Sequence, residues 1–348
     1  MYKLALGALV SLIFILTPAS AAKTEGRAQT ASVKKHVVKK AVKRKVHANA
    51  VVKERPRVSK RISVVRGKRT VAYRPVRSAH FIPVRTVGDA AGLNLTRDPL
   101  ALASSVAFVL DQGNSEVLFE KNANVALPIA SITKLMTGLI VVQAQQDMNE
   151  MLTITDDDVD REKHTSSRLR VGARMTRGNL LHIALMSSEN RAAAALGRNY
   201  PGGTAAFVAA MNAKARQLGM NDTHYVDSSG LSSRNVASAR DLAKLAVVAH
   251  AEPLLREYST DPKSVVDAGG RMMHYSNTNY LVASPDWEIG LQKTGFINEA
   301  GRCLVMQTMI QGRAVIMVFL DSKGKQSRTA DAGRMRRWLE ALRPPAVG

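Results

Sequence analysis

The sequence predicts a mixed α+β domain, and three observations carry that prediction. Two strand-like runs around a glycine-containing turn open the ordered part of the chain, and a long stretch with helical apolar spacing follows. Strand-like runs then return before a last helix. Strands at both ends with helices between them imply a largely antiparallel sheet assembled from the two ends of the domain.

The chain begins with the form of an export signal, residues 1–21. Lys3 supplies positive charge, residues 4–16 are apolar, and Ala19, Ser20 and Ala21 make a small-residue cleavage site. The apolar run is shorter than the roughly 20 residues that a membrane-spanning helix needs, so export with cleavage near Ala21 is expected. Cys303 is the only cysteine, which excludes an intrachain disulfide and makes the fold depend on its core. Export without disulfides fits a bacterial periplasm at least as well as an extracellular medium.

The formal net charge of +22 belongs mostly to the next segment. From Ala22 to Gly88 there are twenty Lys and Arg against two acids, Glu25 and Glu54. Residues 22–97 are also poor in leucine and aromatics, and self-repulsion predicts a disordered tail or linker. Such a tail is either a solvated spacer or a handle for an anionic envelope surface, lipid headgroups or acidic wall polymers. Export makes nucleic acid an unexpected partner.

The ordered domain is expected over residues 98–348. Residues 101–110 and 116–119 read as strands around Gln112-Gly113-Asn114. A helix follows Ser131, with Ile132, Leu135, Met136, Leu139 and Ile140 at helical spacing. The acidic run at 156–160 reads as a solvated loop or a helix start. Residues 179–196 read as one helix, ended by Pro201-Gly202-Gly203. Thr204 then caps a helix to Leu218, with Gly219 as its stop, and Ser238 with Asp241 begins another helix towards His250. Residues 287–291, 303–310 and 314–320 read as strands, the last two as a hairpin, and 330–342 as the closing helix. The eight histidines form no pair at zinc-ligand spacing, so neither a metal site nor a cofactor is expected.

The candidate chemistry starts at PIASITKLMT, residues 128–137. Ser131 falls in the first helical turn, where free N–H groups and the dipole favour developing negative charge. Lys134, three residues on, shares its face and can act as its base if the amine is neutral. The spacing alone is weak, since Ser32 with Lys35 and Ser322 with Lys325 repeat it, and Ser131 would also serve as a plain helix cap. Two further motifs follow. Ser188 and Asn190 form a Ser-x-Asn, repeated without helix context at Ser233 and Asn235, whereas Lys293-Thr294-Gly295 has no second copy and follows an edge-strand pattern.

Together these residues fit acyl transfer. Ser131 attacks a carbonyl while Lys134 takes its proton, and a second cation, Lys293, would help keep Lys134 neutral. Ser188 can relay a proton to a leaving amine, and Asn190 can hold either Lys134 or a substrate amide. The backbone N–H groups of Ser131 and Phe296 are candidates for the developing oxyanion. Lys293 and Thr294 suit a substrate carboxylate, and Gly295 lets substrate backbone approach.

Ser-x-x-Lys, Ser-x-Asn and Lys-Thr-Gly in this order resemble the serine acyl-transferases that include penicillin-binding proteins and β-lactamases. LPIASITKLMT at 127–137, LMSSENRAAAA at 185–195, Gly230-Leu231 with SARDLAK at 238–244, and KTGFINEAGRCLV at 293–305 are similar to low-molecular-mass D-alanyl-D-alanine peptidases. Among these, the resemblance is to the D-alanyl-D-alanine endopeptidase group, the penicillin-binding protein 7 type, over about residues 101–342. It implies a five-stranded antiparallel sheet flanked by helices, with an inserted helical subdomain. It also implies Ser131, Lys134 and Ser188 as catalytic, with Asn190, Lys293, Thr294, Gly295 and Phe296 binding substrate. The expected partners are peptidoglycan, cut at D-alanyl-meso-diaminopimelyl cross-links, and β-lactams that acylate Ser131. The chain running on only to Gly348 favours the compact endopeptidase type. A D-alanyl-D-alanine carboxypeptidase and a non-catalytic penicillin- or wall-binding protein are the competing readings.

Overall fold

A computed structural model describes residues 85–342, together with the backbone of 58–65 and 68–75. The expected export signal and much of the basic segment lie outside these residues. The chain divides into two units, residues 1–79 and 80–348. In the first, Val58–Val65 pairs antiparallel with Lys68–Pro75, in register from Val58 opposite Pro75 to Val65 opposite Lys68. This strand pair lies within the segment expected to be a disordered tail or linker. The segment is charged, yet Val58, Ile62, Val64, Thr70 and Val71 are β-branched residues that favour extended backbone.

The second unit begins earlier than residue 98. Thr86 caps the one-turn helix Val87–Ala90 by accepting from Asp89 N at 3.1 Å. Val87 N donates to Glu299 O at 2.9 Å, Asn122 donates to Leu93 O, and Lys323 pairs with Asp89. These links are polar and local, so they leave no apolar periodicity to read.

The main sheet has five strands: β1 (Ser104–Asp111), β2 (Val117–Lys121), β3 (Glu288–Ile297), β4 (Gly301–Ile310) and β5 (Arg313–Ser322). Their spatial order is β3-β4-β5-β1-β2, every pair antiparallel, with β3 at one edge. Alternation along each strand builds two cores. Val106 and Phe108 of β1, Cys303 and Val305 of β4, and Ile316, Val318 and Leu320 of β5 face one side. Ala107, Val109, Leu304, Met306, Val315, Met317 and Phe319 face the other.

Seven longer helices cover these faces. Inserted between β2 and β3 are α1 (Thr133–Gln143), α2 (Arg177–Met186), α3 (Asn190–Arg198), α4 (Gly203–Gln217), α5 (Ala239–Ala251) and α6 (Pro253–Thr260). The closing helix α7 (Ser327–Leu342) packs Ala332, Met335 and Leu339 on the second face. Helix α1 is buried from Thr133 to Val141, as a helix must be when it crosses the centre of a core.

Several local expectations need correction. The helix expected at 179–196 is two helices, α2 and α3. Ser187 Oγ returns to Ile183 O at 2.8 Å, Ser188 takes φ +63°, and Glu189 caps α3 through Arg191 N. Helix α4 starts at Gly203 rather than after Thr204, because Gly202 turns the chain at φ +85°. The strand expected at 287–291 runs on to Ile297 and carries Lys293-Thr294-Gly295 within it. At α5, Ser238 accepts from Asp241 N, but the Asp241 carboxylate turns to Asp222 N and Thr223 Oγ1 instead of closing a capping box. The acidic run does begin a helical turn, and buried Asp158 accepts from Arg198 twice at 3.0 Å.

One buried carboxylate ties the two ends of the domain together. Asp331 on α7 is inaccessible to solvent and accepts from Ala103 N at 3.0 Å, Ser104 N at 2.8 Å and Ser104 Oγ at 2.5 Å. Asp331→Ala leaves these donors without a partner and is expected to cost about 2–4 kcal/mol, read as a lower urea midpoint.

Candidate active site

Ser131 lies in a 3-10 turn, Ala130–Ile132, that feeds directly into α1. The turn is held from below and behind. Ala130 has φ +49°, Ile129 N donates to Asn235 O at 3.0 Å, and Asn235 Nδ2 donates to Thr133 Oγ1 at 3.1 Å. Gly230 has φ +81° and packs so closely that a Cβ there would stand 1.9 Å from Ala130 O.

Lys134 is 1% exposed, and its amine has three partners. It donates to Ser131 Oγ at 2.9 Å, Asn190 Oδ1 at 2.8 Å and Ser229 O at 2.5 Å. Burial lowers its pKa to about 7, against partial restoration by the carboxylates of Asp227 and Glu189. Asp227 also shapes the loop beneath, accepting from Ser229 N, Gly230 N and Ser232 N.

The break between α2 and α3 presents Ser188 and Asn190 to the same place. Asn190 bridges Lys134 and Thr165, donating to Thr165 Oγ1 at 3.1 Å. On edge strand β3, the fully buried Lys293 donates to Ser188 Oγ and to Thr294 O, both at 3.0 Å. Its pKa is pushed far below the usual lysine range by burial first, then by the charges of Lys134 and Arg328. Gly295 lies against the turn that carries Ser131, where a Cβ would stand 2.8 Å from Ile129 O.

A cavity of about 230 Å³ joins these parts, lined by Ser131, Ser188, Asn190, Thr278, Thr294, Gly295, Phe296 and Arg328. All eight residues expected from the sequence therefore meet at one site, six lining the cavity while Lys134 and Lys293 lie buried beneath it. A cavity of about 620 Å³ elsewhere, beside Phe108, Val117, Arg240 and Val247, holds none of them. Four contributors escape sequence reasoning. Thr278 Oγ1 meets Thr294 Oγ1 at 2.6 Å, and Arg328 donates to Gly295 O at 2.8 Å. Burial brings the Arg328 guanidinium down to about 10, which leaves it charged at neutral pH. Ser229 and Asn235 act through the backbone and the turn; Asn235 belongs to the second Ser-x-Asn, whose signal pointed the wrong way. A hydroxyl beside a neutral-prone amine, with the Arg328 guanidinium across a small cavity, can attack a carbonyl whose neighbour is an anion.

Comparison with known proteins agrees with this chemistry. Residues 94–324 match the S11 peptidase family, described as D-alanyl-D-alanine carboxypeptidase. The chain is 47% identical over 259 residues to a D-alanyl-D-alanine endopeptidase of Pseudomonas aeruginosa, covering 74% of this chain and 83% of that one. It is 42% identical over 262 residues to a D-alanyl-D-alanine endopeptidase of Escherichia coli, covering 75% and 84%. A DD-transpeptidase of Streptomyces superposes with a TM-score of 0.64 at 28% identity, covering 69% of this chain and 99% of that one. The superposition shows the same overall fold in the two chains.

Gly230→Ala adds a side chain where none fits. The left-handed backbone alone costs about 1–2 kcal/mol, and the clash pushes on the Ser131 turn. A lower thermal midpoint and slower acylation of Ser131 by a serine-directed reagent are expected together.

Proposed function

The chain belongs to the S11 family of serine D-alanyl-D-alanine peptidases, and from that premise we propose that it is a DD-endopeptidase acting on peptidoglycan cross-links through an acyl-enzyme on Ser131. One observation carries the reading. Lys134 Nζ stands 2.9 Å from Ser131 Oγ inside the protein, with its pKa brought down to about 7, so a base is in place without any further group.

Each step follows from a named atom. Ser131 Oγ attacks the carbonyl carbon of D-alanine, and its proton passes to the neutral Lys134 amine. The oxyanion forms at the cavity wall made by Ser131 and Phe296, where the backbone N–H groups of both are its proposed donors. The C–N bond then breaks, and the leaving amine takes its proton from Lys134 through Ser188, which hydrogen-bonds Lys293. Water repeats the attack on the ester with Lys134 as base, freeing Ser131. Thr294, Lys293 and Arg328 hold the carboxylate next to the scissile bond, and Asn190 positions the donor amide.

The relatives named D-alanyl-D-alanine endopeptidase, at 37–47% identity, favour cross-links as substrate. The family description as a carboxypeptidase keeps release of terminal D-alanine as the second reading. β-Lactams are proposed to acylate Ser131, in keeping with a Listeria monocytogenes penicillin-binding protein of similar fold solved with cefotaxime bound, at 28% identity and a TM-score of 0.62. We also propose a periplasmic location, with the basic segment attracted to anionic envelope material. No helix among the described residues is long and apolar enough to cross a membrane.

Fluorescent penicillin should label the wild type and not Ser131→Ala, and purified cross-linked muropeptides should be cut to monomers. No label together with no product would sink the enzyme reading. Release of D-alanine with dimers left intact would favour the carboxypeptidase.

Lys134→Ala should fold yet acylate at least about a hundredfold more slowly. Since only the neutral amine accepts a proton, acylation should rise with pH and level off above about 7. Below that point it should fall about tenfold per pH unit. A flat profile across pH 5–8 would remove Lys134 as base.

A further inference from the structure

Among the described residues, Phe296 and Tyr280 are the only exposed phenylalanine, tyrosine or tryptophan side chains. Both belong to the surroundings of the active-site cavity: Phe296 lines it, and Tyr280 follows two residues after Thr278, which also lines it. The two rings are not equally free. The Arg302 guanidinium lies over Phe296, 4.5 Å from the ring centre. Tyr280 is 56% exposed, and no ring or cation among the described residues stacks on it. None of the steps above uses its side chain.

Tyr280 is nevertheless held in place. Its hydroxyl donates at 3.1 Å to Thr329 Oγ1, in the first turn of α7 beside Arg328, and Thr329 donates in turn to Gln326 O at 2.8 Å. The segment before it is pinned residue by residue. Asn277 Nδ2 donates to Ser259 O and Asp261 O, both at 2.9 Å, and Thr278 N donates to Met186 O at 3.0 Å. Buried Asn279 accepts from Leu281 N at 3.2 Å. A large ring fixed in one place with a face in water is a preorganised apolar surface, which lowers the ordering cost of binding to it.

The residues that hold the ring also say what reaches it. In the proposed reaction Thr294, Lys293 and Arg328 hold the carboxylate next to the scissile bond, and that carboxylate sits on the first carbon of the leaving amine. Thr278 bonds Thr294, and Thr329 adjoins Arg328, so Tyr280 is tied to both sides of the carboxylate's place. We propose that Tyr280 is a specificity residue for the leaving group, its ring taking an unbranched aliphatic arm that starts on the carbon bearing this carboxylate. A diaminopimelyl cross-link has such an arm, whereas a terminal D-alanine has only a methyl. The inference rests on the DD-peptidase reading and adds to it a residue that favours cross-links over terminal D-alanine.

The test uses two peptides with the same acyl donor ending in D-alanine, followed by either D-alanine or D-norleucine as leaving residue. D-Norleucine carries the aliphatic arm without further charge, so any difference arises from the arm alone. The wild type should release D-norleucine with a kcat/KM about tenfold or more above that for D-alanine. Tyr280→Ala and Tyr280→Gln should each move that ratio towards one. Tyr280→Phe, which keeps the ring without its hydroxyl, should retain most of it. Fluorescent penicillin, which has no such arm, reports separately on Ser131. Labelling with a wild-type ratio near or below one overturns the assignment. So does a ratio unmoved by both ring-removing substitutions, or one lost equally in Tyr280→Phe. A wild type that neither labels nor cleaves either peptide fails at the DD-peptidase reading instead.

Discussion

A lysine amine shut away from water is the constraint to which the rest of this structure answers. An isolated buried ammonium is strongly disfavoured, so the group must find acceptors, shed its proton, or both. Lys134 does both: three oxygens surround it, and its pKa falls to about 7. Each oxygen comes from a different part of the chain: the Ser131 turn, the first residue of α3, and the loop shaped by Asp227. Holding those three together requires the unusual local features of the domain. These are the left-handed Ala130, the break after α2, and a glycine at 230 pressed against the Ser131 turn.

The site also lies where two differently built layers meet. Helices α1 to α3 contribute the hydroxyls and Lys134, and the edge strand β3 contributes Lys293, Thr294 and Gly295. An edge strand has unpaired backbone groups, usually a liability because another chain can add to it. Under the proposed function that property suits an extended peptide, which would lie along β3 with its scissile bond over Ser131. A salt bridge between Lys163 and Glu299, 2.7 Å long, ties the loop after the acidic run to the turn between β3 and β4. The two layers are thus joined beyond the site as well as within it.

Much of this was legible in the residues because the signals were periodic or chemical. Strands β1, β4 and β5 are buried on both faces, so each reads as a continuous apolar run, and the β4–β5 hairpin followed from the short turn between them. The three motifs converge as expected. What escaped notice was non-periodic. Ser187 to Glu189 interrupts a stretch whose apolar spacing continues on both sides, so two helices read as one. Asn235 looked like a stray copy of a motif, yet its amide holds Thr133 and the Asp227 loop from inside the core. Thr278 and Arg328 belong to no pattern; only the folded chain brings them to Thr294 and Gly295. The domain boundary near Thr86 rests on local polar links such as the Val87 N–Glu299 O hydrogen bond, which no side-chain pattern announces.

The two buried lysines are best understood as a coupled pair. A fixed charge on Lys293 was expected to keep Lys134 neutral, but Lys134 is lowered by its own burial, and Lys293 is lowered by burial and then by the charges of Lys134 and Arg328. Among the described residues neither amine forms a salt bridge, although Asp227 and Glu189 act on Lys134 from farther off, and the pair resists holding two protons. Under the proposed function, a substrate carboxylate held at Thr294 and Arg328 would change that balance, since an anion next to Lys293 favours its charged form. Once Lys293 is charged, the neutral form of Lys134 is favoured in turn. Under the proposed function, binding of the substrate's anion would therefore promote the protonation state that the attack on its neighbouring carbonyl requires. Recognition and activation become the same electrostatic event.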